Sequence, residues 1–291
     1  MGKTRIEWCD ETDNFITGCR GDCSYCYARG AAGQNVRRRV PRYVVVKETT
    51  GDAFTPAFHQ NVMGESHDRL ARARRPRVVF LGSMSDPFSE GPWKFYDGTE
   101  NSAGRQECTD QWVQEMLAYF CRRLPLHRFI LLTKKVSNVK VRKWPDNVWI
   151  GTSVADHSAA RYRIPMLLTN LQMDVGNRNP KTGVVEDRSL ECGGTLISVE
   201  PLQGGPDPAD FVDPAWFDGA MRKPGWLIIG SQTRPALAPD KVPHVVDNAR
   251  QLVAWAAENG VPCFIKDNLV QLSPDDRWPR EFPEALRKEN L

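Results

Sequence analysis

The 291-residue sequence lacks any apolar run that is long enough to span a membrane. It also lacks an apolar signal core, because its first residues read MGKTRIEW. Eight cysteines are present, but a chain of this length does not need disulfides, and nothing in it is typical of a secreted protein. These absences argue against an integral membrane protein and a small disulfide-stabilised domain. We therefore expect a cytoplasmic protein.

The sequence has little net charge, and that charge is unevenly distributed. The whole chain carries +3. Residues 29–77 contain eleven Arg and Lys against four Asp and Glu, or +7, which leaves −4 for the remainder. Such a basic segment is typical of a surface that contacts phosphates, and equally of a solvated helix face. Charge alone leaves both interpretations open.

Short apolar, β-branched runs alternate with amphipathic segments along the chain. The runs cover residues 14–18, 77–83, 128–134, 147–154, 195–200, 226–231 and 262–266. Apolar residues at helical spacing predict helices over 109–124 and 245–260, and a further helix over 157–164 that Pro165 ends or restarts. This alternation predicts an α/β fold with a parallel sheet, in the form of an incomplete barrel.

The sequence contains no clear interdomain linker, so residues 1–291 are predicted to form one domain. Two polar inserts interrupt it, at 89–108 and 174–194, and we expect both to be loops over one rim of the sheet.

Polar side chains follow most of the predicted strands. Because the carboxyl ends of parallel strands meet at one edge of a sheet, these side chains are expected to gather there. They are Ser83, Asp86, Lys134, Ser153, Glu200, Gln232 and Lys266.

Cys19, Cys23 and Cys26 follow the first predicted strand at the spacing C-x3-C-x2-C. A structural zinc site uses four ligands, usually in two paired knuckles, and the sequence has no second C-x2-C or H-x3-H pair. A redox dithiol needs two cysteines and leaves Cys19 unexplained. Three thiolates suit a 4Fe–4S cluster with one iron open to S-adenosylmethionine, and Tyr25 can shield the cluster or face an adenine. The spacing favours this cluster, while zinc and thiol chemistry stay open.

The motif C-x3-C-x-aromatic-C resembles that of the radical SAM superfamily. The whole chain resembles the phage Gp37/Gp68-like, or three-Cys-motif, family. The resemblance rests on RIEWCDETDNFITGC, CSYCYA, PRVVFLGSMSDPF, FILLTKK, NVWIGTSVADHSAARYRIPMLL, LISVEPLQG, GWLIIGSQT and AAENGVPCFIKD, in that order. Within the superfamily, the strand ends are similar to those of the spore photoproduct lyases, which act on damaged thymines in DNA.

This resemblance implies a partial (β/α)6-type, TIM-like barrel that binds a 4Fe–4S cluster and S-adenosylmethionine. The three cysteines match the cluster ligands. Ser83 and Asp86 stand where the superfamily binds the methionyl amino group, and Lys134 matches a lysine that pairs with the methionyl carboxylate. Ser153 is placed to touch the ribose or the carboxylate.

The sequence departs from the family pattern at three places. Gly230-Ser231-Gln232-Thr233 replaces Gly-Gly-Glu-Ser, and Lys266-Asp267-Asn268-Leu269 replaces Lys-Gln-Trp-Gly. Near the N-terminus, residues 9–14 replace Thr-Asp-x-Thr-Trp-Asn. The cysteine motif itself is intact.

The resemblance implies that reductive cleavage of S-adenosylmethionine gives a 5′-deoxyadenosyl radical, which abstracts hydrogen from a substrate. Candidate substrate-side residues are Glu200, Gln232, Tyr27 and Lys266. The basic segment that follows the cysteines is suited to a nucleic-acid backbone. Together with it, the resemblance to the spore photoproduct lyases and the phage association imply a nucleic-acid base as the substrate, to be modified or repaired. A peptide or small-molecule substrate, and a non-catalytic nucleic-acid-binding protein with a structural metal, remain the alternatives.

The expected partners follow from this chemistry. They are S-adenosylmethionine, a reductant such as flavodoxin or ferredoxin, DNA or RNA, and the three-Cys-motif partner protein that is encoded beside some relatives.

Overall fold

The computed structural model describes residues 4–99, 104, 106–168, 190–203, 212–218, 223–233 and 236–287. The chain divides into two compact units. The first comprises Met1–Val141, Asn147–Trp149 and Glu284–Leu291, and the second comprises Arg142–Asp146 and Ile150–Pro283. That all 291 residues form one domain stays a prediction.

The first unit contains seven strands and four helices among its described residues. The strands are β1 (Glu11–Asp13), β2 (Ile16–Thr17), β3 (Ala57–His59), β4 (Val78–Leu81), β5 (Trp93–Tyr96), β6 (Gln106–Cys108) and β7 (Arg128–Thr133). The helices are α1 (Tyr27–Arg37), α2 (Pro41–Thr50), α3 (Gln60–Ala71) and α4 (Asp110–Arg122).

Strands β1, β4 and β7 are parallel neighbours in the order β1-β4-β7. Strand β4 consists of four apolar residues that are all buried, as expected for a strand covered on both faces. Helix α4 buries Val113, Leu117 and Phe120, and the hydroxyl of Thr109 accepts a hydrogen bond from the Trp112 amide at its start (3.1 Å). The predictions of a strand over 77–83 and a helix over 109–124 are therefore confirmed.

The prediction of the first strand over 14–18 was wrong. The strand beside β4 is β1, whereas β2 belongs to a second sheet of order β2-β3-β5-β6. The charged β1 residues obscure the strand in the sequence. They are compensated by ion pairs, because Arg69 binds Glu11 (2.7 Å) and Asp13 (3.0 Å), and Arg77 binds Glu11 (3.0 Å).

The insert at 89–108 was predicted as a loop, and this was wrong for β5 and β6, which pair antiparallel in the second sheet. Residues 174–189 of the other insert lie outside the described residues, and its last residue, Gly194, begins a strand.

The second unit holds β8 (Val148–Val154), most of which belongs to it, followed by β9 (Gly194–Leu202), β10 (Trp226–Ser231) and β11 (Cys263–Ile265). Its helices are α5 (His157–Leu168), α6 (Ala215–Asp218), α7 (Val242–Glu258) and α8 (Asp267–Val270). Strands β9, β10 and β11 are parallel. Pro165 lies inside α5 and does not end it.

Both units therefore combine helices with parallel strands, which confirms the mixed α/β class. Among the described helices, none is both long and apolar enough to cross a bilayer.

Candidate functional site

The cysteine loop, residues 18–26, lies in the first unit and is held to the carboxyl end of its parallel sheet. Gly18 forms a parallel bridge with Ser85, four residues after the end of β4. Its amide also donates a hydrogen bond to the Met84 carbonyl (3.0 Å). A polar edge beside the cysteines was predicted, and these contacts place the segment that follows β4, which includes Ser83, beside the cysteine loop.

The loop begins with a backbone conformation that only glycine adopts easily. Gly18 has a φ of +78°, and a Cβ at this position would lie 2.3 Å from the Thr55 carbonyl oxygen and 2.5 Å from that of Phe54. The next amide, of Cys19, donates to the same Phe54 oxygen (3.1 Å). The loop ends at Cys26, which immediately precedes α1 and whose amide donates to the Cys23 carbonyl (3.0 Å).

The three loop cysteines are free thiols and are partly exposed. Gly21 lies between two of them, because a Cβ there would be 3.3 Å from the Cys19 sulfur and 3.9 Å from the Cys23 sulfur. The Gly21 amide donates a hydrogen bond to Cys19 Sγ (3.1 Å). Burial raises the pKa of the Cys19 thiol, and the nearby Asp86 carboxylate adds to this effect.

Lys134, which follows β7, reaches the cysteine loop. Its Nζ lies 3.6 Å from Cys23 Sγ and 3.1 Å from the Tyr25 hydroxyl. The same nitrogen lies 4.4 Å from the centre of the Tyr25 ring, within the range of a cation–π interaction. The structure thus brings Lys134 to Cys23 and Tyr25, two residues of the cysteine motif that lie 111 and 109 positions earlier.

Asp86 is buried beneath this contact. Its Oδ1 accepts hydrogen bonds from the Thr133 hydroxyl (2.7 Å) and the Phe88 amide (3.0 Å), and its Oδ2 accepts one from the Lys134 amide (2.9 Å). Burial raises the pKa of this carboxyl, against the lowering effect of these hydrogen bonds. Here Asp86 fixes the start of the lysine segment, and its contact with a methionyl amino group stays a prediction.

Ser83 and Tyr27 line the same loop. The Ser83 hydroxyl and the Asn14 side-chain amide exchange hydrogen bonds (3.0 and 3.1 Å), and the Tyr27 hydroxyl donates to the Ser83 carbonyl. Tyr27 is 62% exposed. It is therefore one of the few large side chains that this edge offers to a ligand.

Two residues that the sequence interpretation missed also hold the loop. Asn14 binds both Ser83 and the Met84 amide (3.0 Å), and Arg20 donates to the carbonyls of Glu90 (3.1 Å) and Pro92 (3.4 Å). Asn14 follows β1, which the sequence did not predict as a strand, and Arg20 is a variable residue inside the C-x3-C spacing, so the sequence pattern assigned neither side chain a role.

The remaining predicted residues, Glu200, Lys266, Gln232 and Ser153, lie in the second unit. Lys266 Nζ is 2.5 Å from Glu200 Oε1, and the Ser198 hydroxyl donates to Glu200 Oε2 (3.1 Å). Both charged side chains are about one-fifth exposed, at 20% for Glu200 and 21% for Lys266. Glu200 lies near the carboxyl end of β9 and Lys266 follows β11, and the two form one ion pair.

Gly230 of β10 leaves room for this ion pair. A Cβ on Gly230 would lie 2.7 Å from Glu200 Oε1 and 2.9 Å from Lys266 Cδ. Two of the departures from the family pattern meet beside it. The Ser231 hydroxyl donates to the Asn268 carbonyl (2.9 Å), and Asn268 Nδ2 donates to the Ser231 carbonyl (2.7 Å).

The other two predicted residues of this unit are held through their backbones. The Gln232 amide donates to the Leu202 carbonyl (3.0 Å), and the Ser153 carbonyl accepts from Arg163 (2.8 Å). The roles predicted for their side chains stay predictions.

Six exposed arginines of the basic segment lie away from the cysteine loop, whereas the exposed Arg29 donates to the Gly21 carbonyl of that loop (3.4 Å). Arg37 ends α1, and Arg38 and Arg39 follow it; the 11 residues of α1 place them about 16 Å along the helix from Cys26. Arg72, Arg74 and Arg75 precede β4, at the end of that strand opposite to Asp86. Within the described part of the chain, none of these six arginines forms an ion pair.

The donor set of the cysteine loop fits a 4Fe–4S cluster. Among the described residues, no group of three or more His, Cys, Asp or Glu converges as the ligands of a single ion do. The thiolates of a cubane bind different iron atoms and therefore stand further apart than the ligands of one ion. The loop supplies three accessible thiols, and Lys134 adds a positive charge beside Cys23.

Comparison with known proteins identifies the family. The family DUF5131, described as a protein of unknown function, matches residues 3–268. The chain belongs to this family. None of the curated proteins matches this DUF5131 chain.

Two solved structures are similar to the DUF5131 chain. One is spore photoproduct lyase complexed with dinucleoside spore photoproduct, with a TM-score of 0.39, 10% identity and coverage of 95% of this chain and 64% of the lyase chain. The other is a double mutant of that lyase with bound AdoMet and dinucleoside spore photoproduct, with a TM-score of 0.39, 9% identity and coverage of 90% and 60%. The DUF5131 chain thus spans less than two-thirds of the length of either lyase chain.

Proposed function

We propose that this DUF5131 protein is a radical SAM enzyme, which holds a 4Fe–4S cluster through Cys19, Cys23 and Cys26 and binds S-adenosylmethionine beside it. One observation carries the proposal: three free, partly exposed thiols share one glycine-anchored loop with a lysine ammonium at the middle sulfur. We further propose that the parallel strands form the partial, TIM-like barrel of this superfamily.

The residues of the first unit have distinct roles in this proposal. Cys19, Cys23 and Cys26 would hold the 4Fe–4S cluster, and S-adenosylmethionine would bind beside it through the amino and carboxylate groups of its methionyl moiety. Lys134 is the residue that pairs with that carboxylate, and Asp86 holds the lysine backbone in place. Tyr25, which lies in the loop beside Lys134, and Ser83 are assigned to the same ligand, and Ser153 is assigned to its ribose.

When bound, the two cofactors supply reductive carbon–sulfur cleavage and a 5′-deoxyadenosyl radical that removes hydrogen from a substrate. The chain orients these groups and excludes water. The Glu200–Lys266 ion pair, Gln232 and Tyr27 are assigned to the substrate. Because Glu200 and Lys266 already neutralise each other, a substrate group that binds one of them has to compete with the other.

Anaerobic reconstitution with iron and sulfide tests the enzyme. We expect a brown protein that releases 5′-deoxyadenosine from S-adenosylmethionine after reduction with dithionite. The alternative, a non-catalytic nucleic-acid-binding protein with a structural metal, predicts a colourless, zinc-loaded protein that releases none. A protein that holds zinc at the three cysteines after this treatment would contradict the proposal.

We propose a nucleic-acid base as the substrate, to be modified or repaired. The unpaired, exposed arginines after α1 and before β4 support binding of a phosphate backbone. Changing Arg37, Arg38 and Arg39, or Arg72, Arg74 and Arg75, to Ala is expected to weaken binding of DNA or RNA and to flatten its salt dependence, as measured by fluorescence anisotropy at several salt concentrations.

Residue Lys143 provides a control for this measurement, because it is exposed and already paired with Glu191 (3.4 Å). Changing it to Ala is expected to leave the salt dependence as it is. Arginine variants that bind like the unmodified protein would remove the nucleic-acid assignment and favour a peptide or small-molecule substrate.

A further inference from the structure

The ammonium group of Lys134 is placed against a sulfur atom and an aromatic ring. Its Nζ lies 3.6 Å from Cys23 Sγ, 3.1 Å from the Tyr25 hydroxyl and 4.4 Å from the centre of the Tyr25 ring. All these contacts bridge the end of β7 and the cysteine loop, over 109 and 111 positions of the sequence. The side chain therefore has a defined position before any ligand binds.

Hydrogen bonds to the Asp86 carboxylate fix the backbone of Lys134. Its amide donates to Asp86 Oδ2 (2.9 Å), and the preceding Thr133 hydroxyl donates to Asp86 Oδ1 (2.7 Å). Thr133 Oγ1 also accepts the Lys135 amide (2.8 Å). Because Asp86 is buried, the segment that carries the ammonium is anchored on a carboxylate that solvent does not reach.

The three cysteine sulfurs have unequal surroundings. The Cys19 sulfur accepts a hydrogen bond from the neutral Gly21 amide (3.1 Å), whereas the Cys23 sulfur faces a cation. Lys134 therefore brings a full positive charge to one particular corner of any cluster that the loop holds.

We infer that Lys134, besides meeting the ligand, donates a hydrogen bond to the Cys23 thiolate and thereby raises the reduction potential of the cluster. This inference rests on the proposed function, because it requires the cluster. The reductant gives one electron to the cluster, whose negative charge grows by one. This step transfers one electron and no proton. A nearby cation and a hydrogen bond to sulfur both favour the more negative, reduced state.

The neighbouring lysine provides a matched control. Lys135 Nζ lies 3.7 Å from Glu90 Oε1, and its side chain is 41% exposed. It has the same charge and almost the same position in the chain, but its ammonium is paired with a carboxylate instead of a cysteine sulfur. A general effect of positive charge on the protein would appear in both lysine variants, and the inferred effect only in Lys134.

The experiment is a redox titration of reconstituted protein without S-adenosylmethionine, followed by electron paramagnetic resonance. Lys134→Met is expected to lower the equilibrium constant for one-electron reduction roughly tenfold, which corresponds to about 59 mV for a one-electron couple. Lys134→Arg keeps the charge and the donor and is expected to stay close to the unmodified protein. Lys135→Met is expected to have the same reduction potential as the unmodified protein. If Lys134→Met holds too little iron to titrate, Lys134→Gln, which keeps a neutral donor, is expected to give a smaller downward shift.

The outcomes separate this inference from the proposed function. An unchanged potential in a fully loaded Lys134→Met or Lys134→Gln protein overturns the inference, even when the unmodified protein cleaves S-adenosylmethionine. An equal drop in Lys135→Met also overturns it. A shifted potential in Lys134→Met, with an unmodified protein that never cleaves the sulfonium, supports the inference and rejects the proposed reaction. Failure of the unmodified protein to bind a 4Fe–4S cluster rejects both.

Discussion

Two regions of the molecule differ in whether their reactive groups already have partners. They are the cysteine loop of the first unit and the Glu200–Lys266 pair of the second unit. In the loop, backbone contacts hold the three cysteines in place, while their sulfurs stay partly exposed and unbridged. In the second unit, carboxylate and ammonium neutralise each other at 2.5 Å, and a serine hydroxyl contacts the carboxylate. The loop is thus prepared for an external partner, whereas the ion pair already has its partner.

The largest expected effect tests the cysteine loop. Replacing Cys19, Cys23 or Cys26 by Ser is expected to remove almost all iron and sulfide from the reconstituted protein, because an alcohol is a poor ligand to an iron–sulfur cluster. Iron and sulfide analysis measures the loss. Cys108→Ser is the control, since burial raises the pKa of Cys108 to about 11 and this thiol lies outside the loop. Full iron content in any one of the three loop variants would contradict the ligand assignment.

Two glycines allow a matched test of how each region is supported. Gly18→Ala is expected to cost about 3 kcal/mol of unfolding free energy, because the new Cβ meets backbone oxygens that cannot move and φ is positive. Gly230→Ala is expected to cost only about 1 kcal/mol, because its Cβ meets the ends of the flexible Glu200 and Lys266 side chains. Urea unfolding measures both values. Equal costs would indicate that the two regions are supported alike.

The third effect is the dependence of the unfolding free energy on the protonation of His59. Burial lowers the pKa of His59 to about 3 from an ordinary 6.5, and its Nε2 lies 3.0 Å from the Thr17 hydroxyl of β2. Below pH 6.5 this histidine is protonated in the unfolded chain, whereas in the folded chain it stays neutral down to about pH 3. Stability therefore falls by at most about 1.4 kcal/mol per pH unit as the pH drops from 6.5 towards 3.

Asp13 opposes this slope. Burial raises its pKa to about 6 from 3.8, so between these values the folded chain binds the extra proton, and stability rises as the pH falls. The two contributions largely cancel between pH 4 and pH 6. His59→Gln is expected to expose the Asp13 slope, seen as a gain in stability relative to the unmodified protein as the pH falls, and urea unfolding across this range checks it. A pH-independent difference would contradict the assignment.

The smallest expected effect concerns the Glu200–Lys266 ion pair. A double-mutant cycle of Glu200→Gln and Lys266→Met is expected to give a coupling free energy of about 1 kcal/mol, because both side chains are partly solvated. Urea unfolding of the four proteins measures it. A coupling near zero would mean that the ion pair adds no net stability, and that a substrate group could displace one partner at little cost.

The sequence predicts the strands that are continuously apolar and fails where charged residues enter a strand. Strands β4 and β10 are buried along their whole length, and both lie inside predicted runs. Strand β1 carries Glu11 and Asp13, whose arginine partners come 56 to 66 positions later, so its pattern does not indicate a strand. The second sheet uses strands of two to four residues, which are too short to show a period.

The candidate site divides in the same way. The cysteine spacing is a local signal and identifies the three thiols directly. The role of Asp86 as an anchor is not local, because it depends on Thr133 and Lys134, 47 and 48 positions away. The contact of Lys134 with Cys23 spans 111 positions and likewise appears only in the folded chain.

The reciprocal bonds between Ser231 and Asn268 make each residue the hydrogen-bond donor to the carbonyl of the other, and so join the end of β10 to α8. A chain in which only one of the two residues is replaced by an apolar residue loses this reciprocity, and we expect it to fold less well than the unmodified protein.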